Sequence, residues 1–358
     1  MAFPFIDSRN GGKRDQTIAV DLGGRTTKAV QIQRRGQGFA LGGYAMLDAP
    51  IFEKTISAEM LAEHLKAIAQ TLASKNKYVT LTVGVNDVLL RHADMPRMPV
   101  DDLRRALKLS AKTYLQQDLP GHVFDCHLGA PAQQPKPADK SAASAGPPKQ
   151  RVLVAGSRKQ LLDDYVEGGK GAGLTVDSIV PSLIGPVNAF EKAMPEVFAN
   201  EAVALVDLGF KNTSICVLQQ GELILSRVVG IGGDRLTTGL AEALNVSYAE
   251  AEGIKIGMPT EVQAQLESLI LPLGRELRAS IDFFEHQQDR PVTQAFLTGG
   301  PARSEFVVQT LQREMMIECK ILNPTTFLQM ELPPQQAAEI EQAAPQLTVA
   351  VGAALATL

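Results

Sequence analysis

The chain has 358 residues, a formal net charge of −4, 45% hydrophobic and 21% charged residues, no Trp and 5% aromatics. That length implies two or more domains, and the balance excludes a chain-wide basic surface or an aromatic stacking platform for nucleic acid. Cys126, Cys216 and Cys319 lie far apart with no CxxC pair, which excludes a disulfide framework or zinc ribbon and suits a reducing cytoplasm. No apolar run reaches the roughly 20 residues of a bilayer span. Residues 1–16 lack the apolar core of a targeting signal, and any membrane role is expected to come through a partner.

In chain order, residues 1–16 read as a flexible tail. Residues 17–22 (TIAVDL) read as a buried strand, followed by a Gly-rich turn and two further strands over 28–34 and 39–47, a three-stranded meander. Leu61, Leu65, Ile68 and Leu72 recur at helical spacing within 58–73. Strands are expected at 78–85, 88–93 and 123–128, with a helix at 101–117. Residues 130–150 are low in complexity, with five prolines, and read as a disordered hairpin loop between strands. Helices at 158–171 and 182–193 flank a strand at 174–180. A second meander covers 202–208, 214–219 and 221–231. Helices near 234–244, 247–256 and 262–287, a short strand at 294–297, a helix at 303–315, a strand at 317–321 and helices near 335–344 and from 347 complete the chain.

The two meanders repeat one motif. Residues 19–27 read AVDLGGRTT and residues 205–213 read LVDLGFKNT; at an offset of 186, Asp, Leu, Gly and Thr coincide. A repeat of half the chain points to two related lobes. A strand ending in Asp-x-Gly sets a carboxylate at its tip, and the glycines let successive N–H groups turn inward as an anion-binding nest. The carboxylate suits hydrated Mg²⁺, and Lys28 adds a point charge for phosphate. A third strand runs into Thr298-Gly299-Gly300. GxxxxGK[ST] is absent, and no GxGxxG follows a strand. The run Gly169, Gly171, Gly173 reads as a helix C-cap. His122, Asp125, Cys126 and His127 alternate across a strand, which argues against one metal site.

These motifs resemble the actin, Hsp70 and sugar-kinase ATPase superfamily. Within it the chain is similar to the PilM family of type IV pilus assembly, relatives of the division protein FtsA, through residues 251–257 (AEGIKIG), Asn323-Pro324 and residues 344–352 (APQLTVAVG). The resemblance implies an α/β actin-like ATPase fold of two lobes with duplicated ββββαβα-type cores. The first lobe would take 17–87 and 181–201, an FtsA/PilM-like inserted subdomain 88–180, the second lobe 202–346, and a crossing helix 347–358 would return to the first lobe. ATP and Mg²⁺ are implied in the cleft. Asp21, Gly23, Gly24, Thr26, Thr27 and Lys28 would face phosphate from one lobe, and Asp207, Gly209, Asn212 and Thr213 from the other. Asp21 and Asp207 would hold the metal through water, Gly232 and Gly233 would turn beside the site, Glu252 and Lys255 would reach ribose or adenine, and Gly299 and Gly300 would lie against adenosine. The implied partner is the N-terminal cytoplasmic peptide of a single-span inner-membrane PilN-like protein, with the chain cytoplasmic at the inner face of that membrane and not inserted in it.

Two departures bear on turnover. Hydrolysing members usually carry a hydroxyl where this chain has Gly24 and an acid where it has Phe210, and residues 180–189 offer no Glu or Gln to orient water. Weak or absent hydrolysis is expected, since phosphoryl transfer depends on positioning and charge. Rival readings are an FtsA-like filament former tethered to membrane, and a small-molecule kinase, for which no convincing catalytic Asp was found.

Overall fold

The computed structural model describes residues 6–7, 14–53, 55–129 and 148–358. After a two-residue strand β1 (Ile6–Asp7), β2 (Gln16–Asp21), β3 (Thr26–Arg35) and β4 (Gly38–Asp48) form the first antiparallel meander. Helix α1 (Ala58–Thr71) leads to β5 (Tyr78–Val83), parallel to β2. The chain then leaves this sheet for a separate layer of β6 (Val88–Pro96), α2 (Val100–Leu115), β7 (His122–Leu128) and β8 (Lys149–Arg158). It returns through α3 (Lys159–Gly171) to β9 (Thr175–Pro181), parallel to β5. Helices α4 (Gly185–Ala193) and α5 (Pro195–Asn200) connect to the second meander, β10 (Ala202–Leu208), β11 (Thr213–Gln219) and β12 (Glu222–Val229). Three helices follow, α6 (Gly233–Leu244), α7 (Tyr248–Gly257) and α8 (Gln263–Gln288). Strand β13 (Gln294–Gly299) lies parallel to β10, and α9 (Glu305–Met315) leads to β14 (Glu318–Ile321) beside it. Finally β15 (Leu328–Met330), α10 (Pro334–Ala343) and α11 (Thr348–Leu355) return to the first lobe.

The sheet orders are β1-β9-β5-β2-β3-β4-β15, β12-β11-β10-β13-β14 and β6-β8-β7. Without its end strands β1 and β15, the first sheet has the same plan as the second. Each is a βββαβαβ unit whose first strand sits in the middle and ends in Asp-x-Gly. The ββββαβα unit expected from the sequence is corrected: the meander has three strands, and the fifth strand closes the unit after its last helix.

The central strand shows why this unit folds. Ile18 and Val20 of β2 share an apolar core with Leu61, Leu65 and Ile68 of α1, while the intervening Ala19 shares another with Ala350 and Val351 of α11. A strand buried on both faces needs apolar residues at every position, and residues 18–20 supply them. Each such large side chain contributes about 1.5–3 kcal/mol on burial. Ser57 caps α1 by accepting from the Met60 N–H at 3.2 Å. The glycines of α3 are needed for packing as well as for its end: a Cβ on Gly169 would stand 2.3 Å from Val176, while Gly173 (φ +75°) closes the helix.

Several sequence boundaries are corrected. The insert's own sheet spans 88–158, because α3 packs on α1 and β9 rejoins the first sheet. Residues after 327 belong with the first lobe, not the second, because β15 pairs with β4. The segment 1–16 is not wholly a loose tail: Ile6 and Asp7 pair with Ile179 and Ser178, and the Arg14 guanidinium bonds Asp177 at 2.6 Å. Residues 1–5 and 8–13 lie outside the described residues. So do 130–147, most of the loop expected at 130–150; Lys149 and Gln150 already belong to β8.

The lobes are joined where α4 and α11 cross on bare backbone. A Cβ on Gly352 would lie 1.8 Å from the Gly185 carbonyl oxygen, and one on Gly185 would lie 2.7 Å from that of Val349. The Asn188 amide also donates to the Gly352 carbonyl at 3.2 Å. Gly352→Ala is therefore expected to destabilise the chain by about 1–3 kcal/mol through overpacking. Gly253→Ala, in α7 with nothing within 4 Å of the new methyl, is expected to stabilise it by about 0.5–1 kcal/mol. Urea unfolding of both variants checks this, and equal stabilities would contradict the close crossing.

Candidate functional site

Strand β2 ends at Asp21, whose register partner on β3 is Lys28. The Lys28 ammonium sits 3.3 Å from one Asp21 oxygen, and the Thr82 hydroxyl of β5 donates to the other at 3.2 Å. The turn between the strands is tight: the Gly23 N–H bonds the Asp21 carbonyl at 3.0 Å, and a Cβ on Gly23 would stand 2.5 Å from the Thr26 carbonyl oxygen. No side chain fits there without moving backbone.

Strand β10 repeats the arrangement with one difference. Asp207 pairs in register with Ser214, so the position equivalent to Lys28 carries no charge. The Gly209 N–H bonds the Asn212 carbonyl at 3.0 Å, and a Cβ on Gly209 would lie 2.6 Å from that oxygen. On the other side, Gly299 (φ +90°) presses on the Leu208 carbonyl, which a Cβ would meet at 2.3 Å. The start of α6 locks onto the same turn: Gly233 N–H donates to Gly209 at 3.0 Å and Asp234 N–H to Phe210 at 2.9 Å. Gly232 is backed against Phe210, whose carbonyl a Cβ would meet at 2.4 Å. Gly300 follows, leading into a single helical turn at Pro301–Arg303.

The two turns face each other. A Cβ on Gly24 would lie 3.6 Å from the Phe210 ring, and the Asn212 amide donates to Asn86 of the first lobe at 3.4 Å. The Asp207 carboxyl is half-buried at the cleft floor. Loss of hydration, joined by the facing Asp21 charge and opposed by Lys28, pushes its pKa up to about 6. Two acids thus share one lysine.

The predicted residues divide into groups. Asp21, Gly23, Gly24, Lys28, Asp207, Gly209, Asn212, Gly232, Gly233, Gly299 and Gly300 gather along the cleft, with Thr26 at the first turn. Thr27 does not: it is buried and its hydroxyl bonds the His64 ring at 2.8 Å, because alternation along β3 turns it to α1. Thr213 is also buried and donates to the Ile231 carbonyl at 2.7 Å, holding β11 to the segment before α6. Both are corrected from ligands to supports. Glu252 and Lys255 meet at 2.7 Å, and the Lys255 ammonium also bonds the Thr237 hydroxyl of α6 at 2.6 Å. Sequence reasoning missed Thr82, whose only signal is its place opposite Asp21 on a neighbouring strand. It also missed Arg25, which reaches across the cleft to Glu252 at 3.4 Å. Among the described residues, no group of three or more His, Cys, Asp or Glu side chains is arranged to hold a metal. No described helix is long and apolar enough to cross a membrane.

Two lobes of one repeated unit, with Asp-x-Gly turns face to face, define the actin-like ATPase fold. The model of the type IV pilus assembly protein PilM family matches residues 19–358, and the chain belongs to that family. A solved PilM–PilN type IV pilus biogenesis complex superposes with a TM-score of 0.81 over 96% of this chain and 98% of that one, at 20% identity. The ethanolamine utilization protein EutJ from Carboxydothermus hydrogenoformans is similar in fold (TM-score 0.57, 14% identity, 97% of this chain and 91% of that one). So is MreB5 of Spiroplasma citri, solved bound to AMPPNP (TM-score 0.53, 10% identity, 95% of each chain). The cell division protein FtsA of Bacillus subtilis is 33% identical over 104 residues, 29% of this chain and 23% of its own length.

The Asp207 shift has a stability consequence. In the unfolded chain its pKa returns to near 4, while the folded carboxyl keeps its proton to about 6. Between those values the native state binds more protons than the unfolded state, so this group's contribution to stability falls as pH rises. Asp207→Asn removes that loss. Urea titrations are expected to show the variant gaining on the wild type from about pH 4 to about pH 6, then a constant difference above. A difference that does not change with pH would contradict the desolvated, like-charged setting.

Proposed function

We propose that the chain is a nucleotide-binding scaffold of type IV pilus or related secretion-system assembly, holding ATP with Mg²⁺ between its lobes and a membrane-protein peptide on its insert. The observation that carries the nucleotide reading is the pair of facing turns with two carboxylates and one lysine. That set fits the ligand: the backbones at Gly23, Gly209 and Gly299 leave no room for a Cβ, and the Asp207 carboxyl lacks its own countercharge. Mg²⁺ would neutralise phosphate charge, held through water by Asp21 and Asp207. Lys28 stands beside Asp21 as a phosphate countercharge, and the turn N–H groups line the nest. Glu252, kept ionised beside Lys255, offers an acceptor for ribose hydroxyls. MreB5, which shares the fold, is solved with AMPPNP.

The same geometry disfavours rapid turnover. Where an acid would orient water, the Phe210 ring stands against Gly24. A ring can exclude water but cannot accept its proton. Nucleotide is therefore held rather than consumed.

Asp21→Asn is expected to weaken ATP–Mg²⁺ binding at least tenfold, about 1.4 kcal/mol. Calorimetry on a variant that melts as the wild type checks this, and unchanged affinity would reject the site.

The insert supports the partner reading. Its sheet ends in β6 and β7, whose outer edges pair with no other strand among the described residues. An extended segment adding to such an edge gains main-chain hydrogen bonds plus side-chain pockets. A PilN-like cytoplasmic N-terminal peptide of about ten residues would dock there and hold the chain at the inner face of the membrane. The similar solved structure is of a PilM–PilN complex. A photo-crosslinker at Leu128 of β7 is expected to capture a synthetic PilN N-terminal peptide, and one at Glu261 in the far lobe is not. Capture at Glu261 alone would overturn the assignment.

A further inference from the structure

Arg25 sits at the tip of the first turn, between Gly24 and Thr26, yet its side chain is spent on the opposite lobe. Its guanidinium is 3.4 Å from Glu252 and 3.5 Å from the Tyr248 hydroxyl, both on α7. It also lies 5.7 Å from the centre of the Phe210 ring and 5.9 Å from that of Tyr248. These contacts bridge the mouth of the cleft.

The bridge is easily given up. The pair is single-pronged and Arg25 is 46% exposed, and ion pairs of this kind contribute at most about 1 kcal/mol. Glu252 does not depend on it, because Lys255 stands 2.7 Å from the same carboxylate. A phosphate between the turns offers the guanidinium a stronger, two-pronged acceptor, which suits its planar fork better than a lone ammonium would.

We propose that Arg25 is a phosphate-responsive latch. It closes the cleft against Glu252 and Tyr248 when no nucleotide is present, and swings onto the phosphates when nucleotide enters, freeing Glu252 for the ribose. This rests on the nucleotide reading above. The exchange couples phosphate recognition to the seating of the sugar, through one residue on the turn that carries the phosphate site.

The test compares ATP, ADP and adenosine by calorimetry, with Mg²⁺, on the wild type, Arg25→Ala and Arg25→Lys, each shown by thermal melting to be folded. Arg25→Ala is expected to lose at least tenfold in ATP affinity while binding adenosine as well as, or better than, the wild type. Arg25→Lys is expected to recover part of the ATP loss. Equal losses for ATP and adenosine would mean that Arg25 only supports the turn, and unchanged ATP affinity would mean that it never reaches phosphate; either result overturns the latch while leaving the nucleotide site standing. Absence of ATP binding by the wild type would overturn both.

Discussion

Two carboxylates at the ends of two central strands face each other across a cleft that supplies one lysine. This imbalance organises the site. Lys28 lies directly beside Asp21, while Asp207 has Ser214 where its countercharge would be. Loss of hydration and the facing Asp21 charge raise the Asp207 pKa, and Lys28 only partly offsets them. The duplication thus gives two unequal turns rather than two identical ones.

Glycine sets how closely the parts approach. At Gly23, Gly209 and Gly299 it bares the backbone toward the cleft, and at Gly185 and Gly352 it lets the two connecting helices cross in contact. Away from that crossing, Arg25 touches Glu252 and Asn212 touches Asn86 across the cleft. Asn212 meets Asn86, two residues before β6 enters the insert. The second turn is therefore in direct contact with the root of the inserted subdomain.

Much of this was legible in the chain. Apolar strands ending in Asp-x-Gly, separated by half the chain, gave the two lobes, because strand burial and turn chemistry leave local marks. What was not legible depends on position in space. Strand β9 was assigned to the insert since nothing local tells a strand that it rejoins an earlier sheet. Strand β15 is only three residues long and gains its stability from β4. Thr27 and Thr213 repeat in the motif because both staple the fold, which from sequence alone resembles ligand binding. Thr82 and Arg25 matter only through neighbours far along the chain. Gly24 and Phe210, far apart in the chain, are neighbours in space: a Cβ on Gly24 would lie 3.6 Å from the Phe210 ring.

The most direct measurement is a crystal structure of the chain grown with AMPPNP and Mg²⁺. The terminal phosphates are expected between the turns at Gly23 and Gly209, near Lys28, with a metal whose waters bond Asp21 and Asp207. Nucleotide bound outside this cleft, or a cleft still bridged by the two turns with no ligand between them at saturating nucleotide, would contradict the reading.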